Sequence, residues 1–190
     1  MIADTLIRAA SLLTTIGLAA SASGEHFRLT SADFTPGATL NDEQAFDGMG
    51  CTGRNVSPAL RWSGAPAGTK SFALLLHDPD APTGGAGWWH WIAYDIPAQT
   101  TELRKGAGKP DGSAMPAGAA SVANDYGTPG YGGPCPPVGD KPHRYVFTLY
   151  ALKVDKLELP RGAHAPVVGF VVNANALGKA SITGMYGRAK

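Results

Sequence analysis

The chain has 190 residues, with 16 lysine and arginine side chains against 15 aspartate and glutamate, and a formal net charge of +1. That length suits one domain with a sizeable core. Neither charge sign is bunched into a run, which excludes a general nucleic-acid binder and a polybasic membrane anchor, since both need a concentrated positive field. The 25 glycines and 15 prolines exceed ordinary usage and imply many turns between short strands.

After Arg8 an uncharged stretch runs from Ala9 to Ala20, and Ala20-Ser21-Ala22 fits the small-x-small cleavage rule. Residues 1–22 therefore read as a signal peptide and 23–190 as the domain, which would be periplasmic or secreted. A helix that stays attached is the alternative, and Asp4, which dilutes the leader's positive charge, favours it. The stretch falls short of the ~20 apolar residues of a membrane span. Cys51 and Cys135 each lie in a Gly/Pro-rich segment, 48–53 and 132–137. An even cysteine count in an exported chain reads as one disulfide, with two unrelated buried thiols as the alternative.

Phe72 to Leu76 is a continuous apolar run, as expected of a central strand covered on both faces. It ends at Asp78-Pro79-Asp80-Ala81-Pro82, either a shaped polar site or a turn whose carboxylates cap nearby backbone. Trp89 to Ile96, stopped by Pro97, and Arg144 to Leu152 read as further strands. Between them, residues 106–121 are rich in Gly, Ala and Pro, and a loop of that length is usually functional or mobile. Val168, Val171, Val172 and Asn175 follow Pro166 at helical spacing, predicting a helix that closes the chain.

Alternation puts His90 on the face of Ile92 and Tyr94, and His143 on the face of Tyr145 and Phe147. Asp78, His90 and His143 each sit where a strand meets a loop. If those strand ends converge they form a small polar pocket walled by Trp88, Trp89 and Tyr126 or Tyr131. His77 either joins that pocket or points away, and Ser57, which precedes a proline, reads as lining it. The tryptophans are otherwise core packing.

These motifs carry a resemblance. Asp78 to Pro82, Gly87-Trp88-Trp89-His90-Trp91, Gly133-Pro134-Cys135-Pro136-Pro137 and Pro142-His143-Arg144-Tyr145 look like successive signatures of the phosphatidylethanolamine-binding protein family, also called the Raf kinase inhibitor protein family. The match runs from about Phe34 to Arg188, and Gly50 to Pro58 with the paired cysteines resembles the exported bacterial branch. The resemblance implies a mainly β fold: a single antiparallel Greek-key β-sandwich with a few peripheral helices, one near the C-terminus. It also implies a disulfide between Cys51 and Cys135 and a brace between Asp80 and Arg144.

Carried over by position, Asp78, His90 and His143 form the pocket, while Gly133, Pro134 and Cys135 lend backbone groups to the ligand; Ser57 and Trp89, read above as lining the pocket, would stand beside them. That ligand would be phosphate or a phosphorylated headgroup, bound without catalysis, cofactor, metal or nucleic acid. Two imidazoles, at least one protonated, would supply donors, and a neighbouring Asp78 would orient a histidine and raise its pKa. Eukaryotic members carry glycine where Cys135 stands, so anion geometry would differ there. Family members bind other proteins, including kinases and proteases, which leaves a protein partner open and the state monomer or homodimer. Two other classes compete: a metal-dependent enzyme using His90, His143 and Asp78, and a serine-type hydrolase using Ser57 with a histidine and Asp78.

Overall fold

The computed structural model describes residues 26–189; residues 1–22, read above as a signal peptide, lie outside them. In chain order the elements are β1 (Arg28–Ser31), β2 (Asp47–Gly48), β3 (Cys51–Thr52), β4 (Leu60–Ser63), β5 (Ser71–Asp78), β6 (Trp88–Pro97), β7 (Glu102–Leu103), β8 (Ala120–Ser121), β9 (His143–Leu152), α1 (Ala165–Asn175) and β10 (Ala176–Tyr186). Strands hydrogen-bond in the order β10-β9-β5-β6-β8 in one sheet and β1-β4-β7 in a second, while β2 and β3 form a hairpin, and every pairing between these strands is antiparallel.

The continuous apolar run at 72–76 becomes β5, the middle of the five-stranded sheet, buried from Ser71 to Leu76. Alternation sends its side chains to two different cores. Phe72, Leu74 and Leu76 join Trp91, Ala93, Phe147 and Leu149, and meet Leu29, Leu60, Trp62 and Leu103 from the second sheet. Ala73 and Leu75 join Ile92, Tyr150 and Leu152 under Ala165, Val168 and Val172 of α1. With a sheet on one side and a helix on the other, every position from 72 to 76 faces a core, which is why the run lacks alternation.

Pro166 sits in the first turn of α1, where its missing N–H costs nothing. The helix forms where the spacing predicted it, but it does not close the chain. Ala176 turns extended and the chain runs on as β10, paired with β9 along the sheet edge. Little in Ala176 to Tyr186 signals a strand: Ile182 and Thr183 are its β-branched residues, and Gly178 and Gly184 interrupt it. The ladder to β9 and burial of Ala180 and Ile182 override that weak propensity. Gly184 is there because a Cβ would press on Leu40 at 2.7 Å. Of the few helices expected, α1 is the one found among the described residues, and none there is long and apolar enough to cross a membrane.

Cys51 and Cys135 are bonded across a sequence separation of 84. Closing a loop of that length stabilises the fold by about 4 kcal/mol through the unfolded chain. The doubly substituted Cys51→Ala/Cys135→Ala protein is expected to lose stability of that order in urea denaturation, and adding reductant should lower the wild-type midpoint but leave the variant's unchanged.

Candidate functional site

Antiparallel pairing brings the end of β5 beside the starts of β6 and β9. Asp78 lies opposite Trp88 and His77 opposite Val146, so Asp78, His90 and His143 meet at one end of the sheet. All three are nearly buried, 3%, 2% and 4% exposed.

The placement of His90 depends on an irregularity. Leu76 pairs with Trp91 but His77 pairs with Trp89, leaving His90 as an extra residue in β6, a β-bulge. Strict alternation would put His90 with Ile92 and Tyr94, as the sequence suggested. Ile92 and Tyr94 in fact pack toward α1, whereas the His90 ring lies 5.1 Å from Tyr145 and 5.6 Å from Tyr126. The same slip exchanges the tryptophans, since Trp88 now opposes Asp78 and lines the cavity. Trp89 turns to the helix side, 4.2 Å from the ring of His77, whose Nε2 lies 3.0 Å from the Ala86 carbonyl. Neither Trp89 nor His77 lines the pocket.

The cavity has a volume of about 220 Å³, with Asp78, Trp88, His90, Tyr126, His143 and Tyr145 on its walls. Met49, Ala81, Pro82, Cys135, Pro136 and Pro137 line it further out. His143 donates from Nδ1 to Asp78 Oδ2 at 2.7 Å, and its Nε2 lies 3.6 Å from Asp140 Oδ2. Asp78 Oδ1 accepts the backbone N–H of Asp80 at 2.8 Å, so this carboxylate caps its own turn as well as holding a histidine. The two readings of the Asp-Pro-Asp segment are one arrangement.

His90 Nδ1 lies 2.7 Å from the Gly132 carbonyl. A carbonyl only accepts, so Nδ1 carries the hydrogen and Nε2 presents its lone pair while the ring is neutral. Burial lowers this imidazole to about 4, outweighing the Gly132 bond and the Asp78 charge that favour protonation. Asp78 thus holds His143 by hydrogen bond, and His90 is neutral at pH 7. His90 Nε2, Trp88 Nε1 and the Tyr145 hydroxyl are buried without hydrogen-bond partners among the described residues.

Other expected residues stand further back. Cys135 lines the cavity. The Gly133 N–H donates to Asn55 Oδ1 at 2.7 Å and its carbonyl accepts the Tyr126 hydroxyl at 2.9 Å, while the Pro134 carbonyl accepts the Phe46 N–H at 3.0 Å. These groups brace the wall and are not free to bind a ligand. A Cβ at Gly133 would collide with the Gln44 carbonyl, which accounts for glycine there. Ser57 is 1% exposed and its Oγ accepts the Gly108 N–H at 2.9 Å, so the nucleophile named in the hydrolase reading does not line this cavity. Among the described residues no group of three or more His, Cys, Asp or Glu side chains could hold a metal ion.

Asp80 meets Arg144 in a fork, Nε to Oδ2 at 2.9 Å and the terminal nitrogen to Oδ1 at 2.6 Å, and also accepts the Arg144 backbone N–H. Those bonds hold its carboxyl down at about 2. Tyr145 and Trp88 also line the site with unpartnered polar atoms; the sequence reading gave Trp88 only a wall role and placed Tyr145 no further than on the face of His143. The signal for Tyr145 was present, since it lies two residues from His143 on one strand face.

Because His90 is held below its ordinary value of 6.5, the unfolded chain binds a proton that the folded one refuses between about pH 6.5 and 4. Stability is therefore complete above pH 6.5 and falls, by on the order of 3 kcal/mol, as the pH drops toward 4. Urea denaturation from pH 7 to 4 should show this loss in the wild type and a flatter profile in His90→Gln.

A family model described as phosphatidylethanolamine-binding protein matches residues 30–187. YbcL of Escherichia coli is 48% identical over 166 residues, 87% of this chain and 90% of its own. Its crystal structure, described as a member of the same family, covers 85% of this chain and 98% of its own with a TM-score of 0.82. LppC of Mycobacterium tuberculosis, named as a candidate lipoprotein, is 38% identical over 162 residues, 85% of this chain and 73% of its own. A homologue from Chlamydia trachomatis, 30% identical, covers 85% of this chain and 97% of its own with a TM-score of 0.71. In sequence and in fold, the chain belongs to the phosphatidylethanolamine-binding protein family.

Proposed function

We propose that this is a non-catalytic binding protein of Greek-key sandwich architecture whose pocket takes a small anion, phosphate or a phosphorylated headgroup. The observation that carries the reading is the set of three unpartnered polar atoms, His90 Nε2, Trp88 Nε1 and Tyr145 Oη, on one buried wall of a cavity of about 220 Å³. Buried polar groups are nearly always satisfied, so three left open at one cavity mark the contact points of a ligand. The volume suits a tetrahedral anion with a short substituent, and apolar Met49, Pro136 and Pro137 would meet that substituent. The bonded cysteines and the lipoprotein name of one relative support export to an oxidising compartment. A regulatory role through a protein partner, as the Raf kinase inhibitor name suggests for the family, is part of the proposal.

Affinity should be modest, because the nearby cations are engaged elsewhere: Arg144 by Asp80, and Arg188 by the carbonyls of Pro136 and Gly50. In an NMR titration with phosphate and phosphoethanolamine, shifts should concentrate on the Trp88 indole, the His90 and His143 rings and Tyr145. Trp88→Phe, which removes one donor, is expected to weaken binding about fivefold. Shift changes confined to the far end of the sandwich would contradict the site.

A further inference from the structure

The open atoms of the pocket are not all donors, and that decides what form of ligand fits. Trp88 Nε1 donates, and the Tyr145 hydroxyl can donate. His90 Nε2 is no donor while the ring is neutral: its partner nitrogen donates to Gly132, so Nε2, unpartnered on a residue that lines the cavity, is left as an acceptor. The charges around it are acid-weighted. Asp78 faces it from β5, His143 and Tyr145 from β9, and Tyr126 from the preceding loop, while His77 lies on the opposite side of β5 and Asp140 beyond His143. Among the described residues no arginine or lysine lines the cavity.

A fully ionised tetrahedral anion offers lone pairs alone. One of its oxygens would stand against the lone pair of His90 Nε2 in a dry site, beside the Asp78 carboxylate, and both contacts are unfavourable. An oxyacid that keeps one hydroxyl offers a donor to Nε2 and acceptors to Trp88 and Tyr145, with less charge near Asp78. Resting on the pocket reading above, we infer that the site selects oxyanions that keep a hydroxyl, hydrogen phosphate and phosphomonoester monoanions, and disfavours isosteric oxyanions that hold no proton. The bound complex carries one proton between His90 Nε2 and a ligand oxygen. A phosphomonoester dianion takes that proton from the buffer, whereas the hydrogen phosphate dianion already carries it. No covalent bond forms or breaks besides the O–H or N–H that holds it.

A phosphomonoester has its second pKa near 6, so the competent monoanion becomes scarce as the pH rises above that value. Burial keeps His90 neutral down to about 4, leaving its acceptor intact across that range.

The test is calorimetric titration of the full-length protein with phosphoethanolamine, inorganic phosphate and sulfate at pH 8, in two buffers of different ionisation enthalpy. Phosphoethanolamine, a dianion without a hydroxyl at this pH, should bind with uptake of close to one proton per site, inorganic phosphate, which still keeps one hydroxyl, with little or no uptake, and sulfate at least tenfold more weakly. Phosphoethanolamine affinity should rise close to tenfold from pH 8 to 7. Equal binding of phosphate and sulfate, or phosphoethanolamine binding without proton uptake, would overturn the inference while leaving an anion pocket in place. Binding of none of the three would overturn the pocket reading itself. In His90→Gln, checked for folding by its circular dichroism, the gap between phosphate and sulfate should narrow, and an unchanged gap would contradict the role of Nε2. The wild-type proton count stands without that variant.

Discussion

Antiparallel pairing of β5 with β6 on one side and β9 on the other is the constraint on which the molecule turns. It buries β5 between two cores and, because neighbouring strands run in opposite directions, stacks one strand end against two strand starts. Asp78, Trp88 and His143 are neighbours for that reason and need no loop to carry them together. A site built on strand ends inherits the rigidity of the sheet, which lets three polar atoms stay open toward a cavity without collapsing onto one another.

The bulge at His90 gives this frame its chemistry. One extra residue brings a histidine to the cavity side, places Trp88 there in place of Trp89, and leaves Trp91 in the main core. The Gly132 carbonyl then fixes the tautomer. Around the corner, adjacent residues on β9 divide the acids of the Asp-Pro-Asp segment between them: His143 takes Asp78 inside the pocket, and Arg144 takes Asp80 at the surface. Two pairs of opposite orientation lock the turn to the strand, one facing the ligand space and one facing solvent.

Much of this was legible in the sequence. A continuous apolar run gave β5, β-branched and aromatic content gave β6 and β9, and the helical spacing after Pro166 gave α1, because burial leaves its mark on residue type and period. β10 left no such mark, its strand character coming from pairing with β9 and not from its own residues. The face of His90 was hidden for a different reason: alternation is counted from the sequence, and a bulge resets the count without changing composition. Ser57 and Pro134 illustrate a third limit. Residues near a site in the chain can support it from behind, and only their hydrogen-bond partners tell support from contact. The family resemblance supplied the convergence of Asp78, His90 and His143, which spacing alone left as an assumption.

The disulfide divides the pocket into two parts of different origin. Its floor is made of strand ends and is fixed by the sheet. Its outer wall, Cys135 to Pro137 beside the hairpin tip at Met49, is fastened to β3 by one covalent bond and by the Arg188 hydrogen bonds to Pro136 and Gly50. Such a bond persists only in oxidising surroundings. The same polypeptide in a reducing cytosol would keep the floor with a looser wall, so the depth of the cavity is a property of the compartment as much as of the sequence.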